Sequence, residues 1–274
     1  MSDQGHAATP SGFDTFDTSV AHPARVYDAW LGGKDHFAAD RIAAEQVLAT
    51  NPGIVPGVRS NRAFLIRAVR YLAAEAGIRQ FLDLGTGLPS ANNVHEVAQS
   101  VTPDARVVYV DFDPIVLAHA RALLTGAPGT VAYVQADLRD PAAILAEAAR
   151  TLDLDQPVAV MLLMSLQFIA DDDRPHQLVR SFLDAVPSGS YLALSHPASD
   201  GGAPAALANR ATAQYNQLVA TPMTRRNRDQ VAEFFDGLDL LEPGLVPMTA
   251  WRPDPSEVAP ARPSPAYCGV ARKP

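Results

Sequence analysis

Between Arg79 and Ser195 the chain changes its hydrophobic period repeatedly. A short apolar run is followed by a stretch with apolar residues at helical spacing, and the cycle recurs through five runs: 79–84, 106–111, 130–135, 157–163 and 190–195. Apolar runs of strand length are strands buried on both faces, and such strands separated by helices pair in parallel within one covered sheet. The pattern commits the chain to a doubly wound α/β sheet, where ligands bind at the carboxyl ends of the strands. Asp113-Pro114 and Asp140-Pro141 mark helix starts, each an N-cap followed by proline at the first helical position. Further helices are expected over 90–99 and 173–186.

Ahead of the sheet, 25–31 and 37–48 read as helices on either side of Gly32-Gly33. Pro52, Gly53, Pro56 and Gly57 mark a loop, and a third helix is expected over 61–76. Beyond the fifth strand, a helix over 204–219 could lie across the carboxyl edge. Asn227 with Gln230 forms a capping box that opens a helix through Phe235. Two late strands, 238–241 and 267–271, flank a proline-rich loop and give the sheet a hairpin-like end. The expected organisation is a disordered tail at 1–19 and one domain over 20–274. Within it, 20–78 is a helical cap and 79–274 a Rossmann-like core with a late helical insertion near 204–219.

With 274 residues and 47% apolar content the chain can bury a sizeable core. A net charge of −8 disfavours a nucleic-acid backbone as partner, since phosphate contacts need clustered Lys and Arg. A single cysteine, Cys268, excludes an intrachain disulfide and fits a reducing compartment. The N-terminus lacks the basic head and apolar centre of a secretory signal, and the longest apolar run, 158–164, is too short to span a bilayer. A cytoplasmic protein without nucleic-acid or membrane partner is expected; the oligomeric state is open. No two of the seven histidines lie three or four residues apart, so no metal site is expected. Asp171-Asp172-Asp173 reads as a solvated helix start. So does the basic cluster Arg225, Arg226 and Arg228, with an anion contact as the alternative.

The first strand ends in Asp83 and breaks into Gly85-Thr86-Gly87, a turn that brings a ligand against bare backbone. A nicotinamide dinucleotide wants a third glycine, and here Pro89 and Ser90 follow. Asp83 would also face and repel a pyrophosphate. S-adenosylmethionine fits better: it has no phosphate, its ammonium suits Asp83, and its ribose suits Asp111 at the end of the second strand. Asp137, with Leu138 after the third strand, stands where the adenine amino group would be met. The alternative for each acid is an ordinary turn residue or N-cap.

These motifs resemble the Rossmann-like S-adenosylmethionine-dependent methyltransferases. More narrowly, the chain is similar to the S-adenosyl methyltransferase family of actinomycetes long classed as a domain of unknown function. The narrower resemblance rests on 24–37, 61–65, 81–89, 92–96, 108–114, 136–141, 190–196, 234–238 and 269–274. It implies a seven-stranded, mostly parallel sheet with an antiparallel last strand, and cofactor binding by Asp83, Gly85, Gly87, Asp111 and Asp137. It also implies that the segment from Leu163 to Phe168, which holds Ser165, borders the methyl donor. The acceptor is left open. Methyl transfer is an in-line displacement in which the enzyme supplies alignment, so no fixed triad is expected. Tyr27, Lys34, Asp35 and His36, around the double glycine, are candidates for a substrate wall or lid; the alternative is a helix pair that merely packs. Arg62 is a candidate contact for the methionine carboxylate. Gln167, Tyr215 and His196 are candidate acceptor contacts. Tyr27, His36 and His196 are the candidate bases, with a hydrogen-bonded loop histidine as the alternative for His196. The expected activity is methyl transfer to a small molecule; the rival is a binding protein that uses the same ligand as a signal.

Overall fold

The computed structural model describes residues 17–123, 129–254 and 265–274, so most of the expected tail lies outside the described residues. Strands β1 (Gln80–Leu84), β2 (Arg106–Asp111), β3 (Val131–Gln135), β4 (Ala159–Leu163) and β5 (Tyr191–Pro197) run parallel in the order β3-β2-β1-β4-β5. The order reverses between β1 and β4, the switch point at which such sheets open a crevice. Beside β5 lies β8 (Ala266–Arg272), antiparallel, with Ser195 opposite Cys268. The far edge of β8 pairs with β6 (Asp239–Leu240) and then with β7 (Val246–Pro247). The sheet is seven positions wide with an antiparallel strand near its end, as expected. Its last position is filled by two short pieces, which brings the strand total to eight.

Helices α1 (Pro23–Leu31) and α2 (Ala38–Thr50) form where the spacing predicts. Helix α3 (Ile54–Ala74) does not, because it begins inside the segment read as a loop. Pro56 falls in its first turn, where backbone N–H groups have no partner within the helix, so the missing donor costs nothing. Helix α4 (Val94–Val101) starts later than expected. The Asn93 N–H donates to Glu96 Oε2 at 2.7 Å and fixes that start, leaving 85–93 as a broad turn over the sheet edge. Helices α5 (Pro114–Leu123) and α6 (Pro141–Ala148) carry the predicted caps: Asp113 Oδ1 accepts Ile115 N–H at 2.8 Å and Asp140 Oδ1 accepts Ala143 N–H at 3.1 Å. Helices α7 (Pro175–Asp184), α8 (Ala203–Tyr215) and α9 (Arg228–Ala232) complete the set.

Strand alternation divides the core. Phe81, Val107, Tyr109 and Met161 face α3 and α4, while Leu82, Leu84, Val108 and Val110 face the layer of α6 and α7. Asp83 shares the side of Phe81 and therefore points toward α3. A third apolar cluster joins Val26 and Trp30 of α1, Val47 of α2, Val58 of α3, and Ala211 and Tyr215 of α8. Each large apolar side chain buried here contributes roughly 1.5–3 kcal/mol, so this layer is a second small core. Buried Arg25 donates from Nε to Asp40 Oδ1 at 3.2 Å, and the same carboxylate accepts the His22 and Phe37 N–H groups. Among the described residues, no helix is long and apolar enough to cross a membrane.

Candidate functional site

A cavity of about 230 Å³ runs from the glycine turn to the third apolar cluster. The turn is built by close approach. Gly85 has φ +79°, and a methyl group on it would stand 2.5 Å from Ser165 Cβ, so a side chain there would wedge β1 from the end of β4. The N–H groups of Gly85 and Thr86 donate to the Val110 carbonyl at 2.9 and 3.1 Å. Gly87 N–H donates to Asp111 Oδ2 at 2.8 Å, and Asp111 Oδ1 accepts Asp113 N–H at 3.0 Å. Asp111 thus braces the turn while it lines the cavity.

Two buried carboxyls meet at this end. Burial pushes Asp83 up to about 7; the Arg62 charge opposes the rise and the Asp111 charge adds to it. Burial likewise pushes Asp111 up to about 6, against the backbone N–H groups of Asp113 and Gly87. A cationic ligand group would favour ionisation of both. Arg62 lines the same end and donates to the Ala91 and Asn92 carbonyls at 3.0 and 2.9 Å. Asp137 and Leu138 also line it. The Asp137 carboxylate is exposed and bridged by Arg139, whose Nε and Nη2 donate at 2.8–3.1 Å.

Next along the cavity, Ser165 and Gln167 are buried at the end of β4. Ser165 Oγ has no hydrogen-bond partner among the described residues, and neither has Gln167 Oε1. The Gln167 amide is oriented by its Nε2, which donates to the Met164 carbonyl at 2.6 Å. An unpaired buried polar atom costs about 1–3 kcal/mol, so two of them in one cavity invite a ligand. Tyr27 also lines the cavity. Its hydroxyl donates to the Val58 carbonyl at 3.2 Å and accepts Asn61 Nδ2–H at 3.0 Å, while Asn61 Oδ1 accepts the Ser195 hydroxyl at 2.7 Å. Burial raises the Tyr27 phenol above its ordinary value, so Tyr27 is a wall and a poor base. Tyr215 is buried, lines the cavity from α8 and packs near Trp30, with ring centroids 6.3 Å apart.

Several sequence candidates stand elsewhere. His196 does not line the cavity and is fully buried. Its Nδ1 donates to the Pro197 carbonyl at 3.0 Å and its Nε2 accepts from Arg226 Nη1 at 2.8 Å. Burial lowers it to about 3, so it is neutral and has no free nitrogen with which to act as a base. His36, Lys34 and Asp35 also lie off the cavity. His36 Nδ1 bonds Asp28 Oδ2 at 2.8 Å, Asp35 N–H donates to the same oxygen at 3.0 Å, and Lys34 is exposed. A side chain on Gly33 would collide with the Asp28 carboxylate. The double glycine thus lets the turn wrap a carboxylate, and the lid reading of Lys34, Asp35 and His36 is replaced by a tied turn. Arg226 is buried rather than solvated: it donates to the Leu166 and Ile169 carbonyls, to His196 and to Asp171.

Residues passed over in the sequence also line the cavity. Asp28 is one, Asn61 another, and Phe112 and His22, whose rings lie 5.0 Å apart, flank the Asp111 end. None carries a local signal; each is brought in by contacts between distant elements.

A family model for S-adenosyl methyltransferases matches residues 10–274. A solved DUF574 family protein from Streptomyces avermitilis is 44% identical over 94% of this chain and 99% of its own, with a TM-score of 0.89. A candidate methyltransferase from Thermobifida fusca is 42% identical over 94% of this chain and 96% of its own, with a TM-score of 0.85. Human N-acetylserotonin methyltransferase, solved in complex with SAM, has a TM-score of 0.50 at 16% identity over 86% of this chain and 55% of its own, a likeness of fold. No curated protein matches the chain.

Proposed function

We propose that this chain, which belongs to the S-adenosyl methyltransferase family, transfers the methyl group of S-adenosylmethionine to a small, largely apolar acceptor held beneath the N-terminal helices. The observation that carries the reading is the single cavity that joins the acids of the glycine turn to the apolar cluster of α1, α2, α3 and α8. The residues present suit the cofactor. Asp83 is a buried carboxyl poised near neutrality for an ammonium, Gly85 leaves backbone bare, and Ser165 Oγ awaits a polar partner. In this reading Asp83 holds the ammonium, Arg62 the carboxylate and Asp111 the ribose hydroxyls. Phe112 and Leu138 offer apolar flanks for the adenine, and Asp137 meets its amino group by exchanging part of its contact with Arg139.

When bound, S-adenosylmethionine supplies an electrophilic methyl group on a sulfonium sulfur. The chain's own contribution is to hold an acceptor in line and to exclude water, which is worth several kcal/mol of the barrier, on the order of 7–11 in well-oriented cases. His196 is sealed in and His36, bound to Asp28, lies off the cavity, so neither is placed to act as a base on the acceptor. A protein that only sensed the ligand would need the first half of the cavity alone. The apolar half, formed by the cluster of α1, α2, α3 and α8 and bordered by Gln167, supports an acceptor site. Calorimetric titration with S-adenosylmethionine, S-adenosylhomocysteine and NAD tests the reading: both adenosyl compounds bind and NAD does not. Binding of NAD with neither adenosyl compound overturns it.

A further inference from the structure

Arg225 does not behave as the surface residue its neighbours in sequence make it look. It is half-buried and lines the cavity. Its Nε and Nη2 donate to the Ala198 carbonyl and Nη2 also reaches the Pro265 carbonyl at 3.0 Å. These bonds fix the side chain but leave its charge uncompensated. Among the described residues no carboxylate pairs with it, and burial alone pulls it down to about 10 with no acid opposing the fall. Its neighbour Arg226, by contrast, has Asp171 Oδ1 2.7 Å from Nη2. A guanidinium removed from water without a counter-charge is unfavourable, and with Nε and Nη2 held by the two carbonyls its Nη1 is the group left to donate to an arriving carboxylate.

The surroundings say what else the ligand would carry. The segment that bears Arg225 is tied to the end of β4: Thr224 N–H donates to the Gln167 carbonyl at 2.7 Å. The same segment is tied to α8, where Asn216 bonds the Met223 backbone at 2.8 and 2.9 Å. Arg225, Gln167, Met223 and Tyr215 all line the cavity, on segments that these bonds tie together. These four supply a cation without an anion, a buried amide oxygen without a donor, and aromatic and thioether surface.

We infer that the acceptor is an aromatic or similarly apolar carboxylate: its anionic end docks on Arg225, its body lies against Tyr215 and Met223, and a hydroxyl or amine hydrogen meets Gln167 Oε1. This rests on the methyltransferase reading, which supplies the reason for an acceptor to enter. The probes are 6-hydroxy-2-naphthoate, its carboxamide and 2-naphthoate, titrated calorimetrically into the full chain saturated with S-adenosylhomocysteine. The hydroxy acid binds about tenfold or more tightly than its carboxamide, the cost of losing one charge-assisted bond. Arg225→Gln abolishes that preference, and Arg225→Lys keeps part of it. Gln167→Met lowers affinity for the hydroxy acid to that of 2-naphthoate. Equal binding of acid and amide, a preference that survives Arg225→Gln, or failure of the acids to bind while S-adenosylhomocysteine does, each overturns the inference. Affinity for S-adenosylhomocysteine, measured first on every variant, shows that the fold is intact. If Arg225→Gln does not fold, the acid–amide comparison in the unmodified chain and in Arg225→Lys decides. Loss of S-adenosylhomocysteine binding in the unmodified chain would instead be the failure of the methyltransferase reading.

Discussion

Asp83→Asn separates what the free protein loses by holding this acid from what the ligand gains by meeting it. The Asp83 carboxyl rises from its ordinary 3.8 to about 7 because it is buried at the end of β1. Its folded value lies above its unfolded value, so its contribution to stability is full below about pH 4 and is lost as the pH climbs through about 7. At 1.36 kcal/mol per pK unit, the complete loss has a ceiling on the order of 4 kcal/mol. Asparagine keeps the shape and cannot ionise. Urea unfolding of the free protein at about pH 5 and about pH 7.5 should show the unmodified chain losing about 2–3 kcal/mol more than Asp83→Asn over that interval. Asp111, pushed up to about 6, adds a loss of the same sign in both proteins, which is why the difference between them is the quantity to read. Binding should move the other way. S-adenosylhomocysteine should bind more tightly at about pH 7.5 than at about pH 5.5 in the unmodified chain, because the ammonium requires ionised Asp83. The variant should bind about 1–3 kcal/mol more weakly at the higher pH and show a flatter profile. Identical pH dependence of stability in the two proteins would refute the assignment of a near-neutral buried acid at this position.

Other perturbations follow from the same geometry. Gly85→Ala should destabilise by on the order of 2–4 kcal/mol, from the left-handed backbone and the contact with Ser165, and adding Ser165→Gly should recover part of it in the same denaturant assay. Asp111→Ala should weaken S-adenosylhomocysteine binding by about 1–3 kcal/mol in calorimetry, with a further loss if the turn slackens without the brace on Gly87. Arg226→Met should lower stability by on the order of 3 kcal/mol, chiefly because the Leu166 and Ile169 carbonyls and His196 Nε2 lose their donor. A thermal midpoint unchanged from the parent would contradict that count of contacts.

What was legible in the chain was what lies within one element or its cap. The strands showed because apolar runs of strand length have no other common use. Asp83, Gly85 and Gly87 showed because a turn that approaches a ligand closely needs glycine. The acids at the ends of β1 and β2 followed from strand direction. What was not legible depends on pairs remote in sequence. His196 looks like an edge residue until Arg226 covers it from 30 residues away. Asn61 is one more polar residue of α3 until Ser195 and Tyr27 lock it. Asp137 has the expected place, but a neighbour two residues on, Arg139, takes its carboxylate. The start of α3 was missed because Pro56 and Gly57 carry the chemistry of a loop, and only the first turn of a helix tolerates that proline. The apolar half of the cavity has little local signature, since only tertiary packing brings the residues of α1, α2, α3 and α8 to one wall.

The most direct test is a crystal structure of the chain with S-adenosylhomocysteine. The account predicts the ligand across the carboxyl ends of β1 and β2, its ammonium within hydrogen-bond distance of Asp83 and its ribose hydroxyls on Asp111. Its sulfur should face the apolar half of the cavity between Ser165 and Tyr27. A ligand bound elsewhere, or bound here with neither carboxylate touching it, would contradict the account.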